Sequence, residues 1–166
     1  TGTAPVDITL TTLGVPQVAP EANGYGYAIS RRYFDMDGQE VSLDSVETGT
    51  RLVTVLSVNP FEGGEARLMV NDPLPAGLEI DNPNILRSGD IRALDWLDVA
   101  FPENTEFRTD RFMAAVDWRS DEPFDLAYIV RAVSPGAYHH PAASVEDMYR
   151  PQYRAVTGTG QLRVIE

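Results

Sequence analysis

At 166 residues, with 43% apolar and 9% aromatic content, the chain has the size and composition of one folded domain with a full core. Having no cysteine, it has no disulfide, thiolate metal site, thiol nucleophile or thioester of its own. Its net charge is −12 and all 13 basic residues are arginine, so no basic stripe faces a phosphate backbone and no nucleic acid partner is expected.

In chain order, Val6, Ile8 and Leu10 alternate with Asp7, Thr9 and Thr11 as a first period-two strand. Tyr25 to Tyr33 alternates in the same way and runs into the turn Asp35–Met36–Asp37–Gly38, after which Gln39–Leu43 returns as a short strand. Arg51–Val58 is the richest β-branched run and stops at Asn59–Pro60. Across a loop holding Gly63 and Gly64, Glu65–Val70 reads as its hairpin partner. Asp72 to Gly77, rich in proline, is a break before a short strand at Leu78–Ile80. Ser88 to Leu97 is the one helical segment, with Asp90 as its cap and Ile91, Leu94 and Leu97 on one face. Phe107–Trp118 and Phe124–Val133 are two long strands about the turn Arg119–Pro123. Ala137–Ala142 is an extended loop, and Val145–Tyr149 continues on a loop. Tyr153–Val156 and Gln161–Ile165 form a terminal hairpin about Thr157–Gly160.

Eight or nine strands at this spacing, with no βα alternation, predict an all-β antiparallel β-sandwich with one short inserted helix. No run reaches the ~18 apolar residues of a membrane helix, so no direct membrane contact is expected. There is no signal peptide, and a start at Thr1 rather than Met reads as a piece of something longer.

The chemistry-bearing residues form no catalytic motif. His139 and His140, the only histidines, are adjacent and point to opposite faces of an extended chain, a poor joint metal site; both are expected on an exposed loop. Asp35, Asp37 and Gly38 share a pattern with calcium loops. Placing Gly38 sixth, however, puts Tyr33 first and Asp44 twelfth, where a bidentate Glu belongs. Glu106, Arg108, Asp110 and Arg111 read as a solvated, mutually paired face. No nucleophile elbow, phosphate loop or dinucleotide loop occurs, and no enzyme is expected.

Five segments then stand out together: YAISRRYFDMDGQEV, VNDPLPAGLEIDNPNI, EFRTDRFMAAVDW, LAYIVRAVSPGAYHHPAASVEDMYRP and GTGQLRVIE. In order, across nearly the whole chain, they resemble the C-terminal macroglobulin-like domain of bacterial alpha-2-macroglobulins. The resemblance implies that residues 1–166 are a single such domain, non-catalytic and without a cofactor, cut from a much larger chain. That parent would be a periplasmic protease trap anchored as a lipoprotein in the inner membrane. A host or competitor protease would cut its bait segment, and a thioester in a separate helical domain would capture the protease. Before that event the terminal domain would pack on the thioester domain and on other macroglobulin-like domains. Met148 and Tyr149 match the family's Met–Tyr pair over the thioester, where a thioether and a phenol make a deformable apolar shield.

The rival reading is a free-standing carbohydrate-binding or adhesion module presenting Trp96, Trp118 and Tyr138. A second rival, a hydrolase of sandwich fold, needs two convergent carboxylates in a concave site.

Overall fold

A computed structural model describes residues 9–14, 21–82, 84–87 and 92–166. Thirteen strands are present among them: β1 Asn23–Tyr25, β2 Tyr27–Phe34, β3 Val46–Glu47, β4 Arg51–Pro60, β5 Ala66–Pro73, β6 Leu78–Asn82, β7 Asn104–Phe107, β8 Arg111–Trp118, β9 Phe124–Ala132, β10 Gly136–His140, β11 Ser144–Asp147, β12 Arg154–Val156 and β13 Gly160–Ile165. They form a six-stranded sheet in the order β1-β12-β11-β5-β8-β7, a four-stranded sheet β2-β4-β9-β6, and a three-stranded sheet β10-β13-β3. All pairings are antiparallel except β13 with β3. The all-β sandwich read from the sequence is the observed fold.

Why β4 is apolar without alternation is now explained. Its Leu52, Leu56 and Val58 join Leu68, Val70, Phe112, Phe124, Tyr128 and Val145 in the main core. Val53 and Val55, on its other face, pack with Ala127, Ile129 and Phe34 beneath Leu86, Leu94, Leu97 and Val99. Leu86, Leu94, Leu97 and Val99 therefore cover the back of the four-stranded sheet, and a strand buried on both faces has no polar side to alternate with.

Several sequence expectations are corrected. The Tyr25–Tyr33 run is two strands, because Gly26 adopts φ 77° and carries the chain from one sheet to the other. A Cβ at Gly26 would lie 2.2 Å from Cδ1 of Tyr153, so only glycine fits that crossing. Similarly, β5 is not the hairpin partner of β4. It pairs with β8 and β11 in the opposite sheet, while β4 pairs with β2 and β9. Alternation fixes which face a strand buries, not which neighbour it takes.

The run Phe107–Trp118 is not one strand: Phe107 ends β7, and β7 and β8 form a tight hairpin with Arg108 N–H donating to Arg111 O at 2.9 Å across its turn. Ala137–His140, expected as loop, lies in β10, and Val145–Asp147, also expected as loop, lies in β11. The terminal hairpin does not exist: β12 pairs with β1 and β11, β13 with β10 and β3. Gln39–Leu43 forms no strand; it makes an isolated bridge, Phe34 to Glu40, with Val41 N–H donating to Tyr33 O at 2.8 Å.

The expected helix is a single 3₁₀ turn, Arg92–Leu94, that seats Leu94 and Leu97 on the back of the sheet. Its proposed start, Ser88 to Ile91, lies outside the described residues. So do Val6 and Ile8 of the first expected strand; Leu10 is described, is exposed and belongs to no strand.

Candidate functional site

Met148 and Tyr149 sit in the connection between β11 and β12, at residues 148–153, with exposures of 52% and 76%. They lie in none of the three sheets. The connection is nevertheless held closely. Met148 N–H donates to Arg67 O at 2.8 Å, Asp147 N–H to Tyr153 O at 3.0 Å, and Tyr153 N–H to Arg150 O at 2.8 Å.

Beneath the pair lies Asp147, 1% exposed. Its Oδ1 accepts from Tyr149 N–H at 3.0 Å and from Arg150 N–H at 3.3 Å, and its Oδ2 accepts from Arg150 Nε at 2.8 Å. Arg150 also donates to Glu65 O at 3.3 Å and stacks its guanidinium over Tyr153 at 4.8 Å. Tyr153 in turn packs against Tyr25 with ring centres 5.1 Å apart. The result is two large apolar side chains raised on a polar, cross-braced base.

A second polar cluster ties the two sheets together. Arg31 on β2, with its side chain 5% exposed, pairs with the fully buried Asp72 on β5, and donates to Pro141 O at 2.7 Å. Tyr128 on β9 donates to the other Asp72 oxygen at 2.7 Å. Burial pushes the Asp72 carboxyl up, opposed by Arg31 and the Tyr128 hydroxyl. Burial also raises the Tyr128 phenol well above its ordinary value, with the Asp72 charge adding to it.

His140 is not on an exposed loop. It ends β10 facing inward, 5% exposed, with Nε2 2.9 Å from the Tyr33 hydroxyl. Burial, reinforced by Arg31 and His139, depresses its pKa to about 3. It is a neutral hydrogen-bonding partner at physiological pH, while His139 is exposed and points away.

Among the described residues no group of three or more His, Asp or Glu side chains is placed to hold a metal ion. The Asp35 carboxylate turns back on its own loop, accepting from the N–H groups of Asp37 at 3.0 Å and Gln39 at 2.8 Å. Asp44 accepts from Ser42 Oγ at 2.7 Å. The charged face near β7 is paired within itself, Arg108 with Glu106 at 2.6 Å and Arg111 with Asp110 at 2.9 Å.

The buried carboxylates among the described residues, Asp72 and Asp147, are each paired with an arginine. The three aromatics of the carbohydrate reading serve separate partners. Trp96 packs on Phe34 with Arg32 over its ring, Trp118 packs on Phe124, and Tyr138 fills the space beside Gly77.

Asp72 and Asp147 escaped the sequence reading, though a signal existed. Each stands two residues after an inward valine, Val70 and Val145, so period two already placed both carboxylates inside.

Residues 26–152 match the family described as Bacterial Alpha-2-macroglobulin MG10 domain. The chain is 35% identical over 173 residues to an alpha-2-macroglobulin of Escherichia coli strain K12, covering 99% of this chain and 10% of the relative. A solved Salmonella alpha-2-macroglobulin reacted with methylamine superposes with a TM-score of 0.82 at 36% identity, over 92% of this chain and 10% of that one. An Escherichia coli alpha-2-macroglobulin activated by porcine elastase gives 0.78 at 37% identity, over 92% and 14%. This chain thus spans about a tenth of the length of the curated relative.

Proposed function

From the premise that the chain belongs to the bacterial alpha-2-macroglobulin MG10 domain family, we propose that it is the non-catalytic C-terminal domain of a periplasmic, lipid-anchored protease trap. In this reading Met148 and Tyr149 pack on the thioester domain of the same parent chain until a protease cuts the bait. The relatives support it: one was solved after reaction with methylamine and one after activation by porcine elastase. A reactive acyl group that small amines reach needs water and amines kept away.

The observation that carries the reading is the pair itself. A Met and a Tyr stand 52% and 76% exposed on a loop that is otherwise fixed by hydrogen bonds to the buried Asp147 carboxylate. Apolar side chains presented on a rigid support are arranged to meet a surface, not to fill this domain's core. The thioether and phenol exclude water without introducing a charge, as a shield over an ester requires.

Truncation separates shield from core. Met148→Ala with Tyr149→Ala is expected to cost the domain less than about 1 kcal/mol, against the ~2–5 kcal/mol of core truncations. In the full-length parent the same change is expected to speed inactivation by methylamine while leaving the rate of bait cleavage unaltered. Equal methylamine rates in a thioester-containing parent would overturn the proposal.

A further inference from the structure

Position 147 is inward-facing, paired in register with Leu68 and on the same face as Val145. Any residue's backbone would make that pairing, and an apolar side chain would fill the space without the desolvation cost of a buried carboxylate. What the acid adds is visible in its partners. All of them lie in the 148–153 connection: Tyr149 N–H, Arg150 N–H and Arg150 Nε. None belongs to the core.

Met148 is tied down as well, its N–H donating to Arg67 O at 2.8 Å.

We propose that Asp147 is a positioning residue that holds Met148 and Tyr149 in their presented arrangement through the loop backbone. This rests on the shielding role given above. Asp147 restricts the loop to one conformation, so the apolar pair meets its partner surface without an ordering cost at the moment of contact. Asp147 does not touch the shielded group itself.

The test uses the full-length parent, with two readouts. One is hydrogen exchange at the amides of Tyr149 and Arg150; the other is the rate of inactivation by methylamine. Asp147→Leu keeps the buried position filled and is expected to raise exchange at both amides about tenfold, the effect of removing hydrogen bonds of ordinary strength. It is also expected to speed methylamine inactivation. Asp147→Asn retains an oxygen acceptor and is expected to stay near wild type in both.

Unchanged exchange in Asp147→Leu overturns the role of Asp147. Raised exchange with an unchanged inactivation rate, in a parent where the Met148/Tyr149 truncation does speed inactivation, overturns positioning and leaves shielding standing. If that truncation itself has no effect, shielding fails, and the exchange data alone decide whether Asp147 holds the loop. Should Asp147→Leu not fold, Asp147→Asn decides: accelerated inactivation in that variant while exchange at the two amides stays at the wild-type rate overturns the proposal.

Discussion

Asp72→Asn is expected to destabilise the domain by about 3–5 kcal/mol, because it leaves the Arg31 guanidinium buried without its counter-charge. The side chains are nearly isosteric, so packing of the main core is conserved and the loss is electrostatic. Tyr128 contributes as well, since its hydroxyl donates to the same carboxylate from the opposite sheet. Arg31→Met combined with Asp72→Asn removes the orphaned charge and is expected to recover much of the loss, because a buried ion pair replaced by well-packed neutral side chains is often close to neutral. Urea denaturation of the four species gives the coupling directly. Additive effects of the two changes would mean that the pair is not coupled across the sheets.

Acidification is expected to loosen the domain through His140. Its folded pKa of about 3 lies below the ordinary histidine value of 6.5, so the stability it contributes is fully present above pH 6.5 and is lost as pH falls toward 3. By pH 4.5 the loss amounts to about 3 kcal/mol. Protonation would turn Nε2 from a partner of the Tyr33 hydroxyl into a second buried cation beside Arg31. Carboxylates titrate over the same pH range, so the His140 part is read as a difference. Urea midpoints at pH 7.5 and 4.5 should fall further for the wild type than for His140→Gln. Equal drops would remove His140 as the acid-labile group.

The sandwich was legible because its long strands announce themselves. The β4 run RLVTVLSV and the β9 run FDLAYIVRA carry enough β-branched and aromatic residues to form strands in any context. Their partners were not legible. Nothing in the local pattern says that β5 joins β8 rather than β4, or that β13 leaves β12 for β10 and β3. Those choices are made by crossovers such as Gly26, where one positive φ sends an unbroken alternating run into two sheets.

The site divides in the same way. Met148 and Tyr149 were conspicuous as apolar residues in a polar stretch, and the structure finds them exposed on the 148–153 connection. The residues that support them were hidden, because Asp147 looked like one acid among 25 acidic residues. Only its inward place in the β11 period distinguishes it. His140 was misplaced for a related reason: a strand that pairs only with the C-terminal segment reads as loop until that pairing is known.

Contact between Tyr149 and the thioester domain is the centre of the account, and a photocrosslinking side chain at that position reports on it most directly. Benzoylphenylalanine at position 149 of the native, uncleaved parent is expected to crosslink within that domain, beside the thioester Cys and Gln. The same crosslink should be lost once a protease has cut the bait. Crosslinks confined to other domains of the parent, or a yield unaltered by cleavage, would contradict the account.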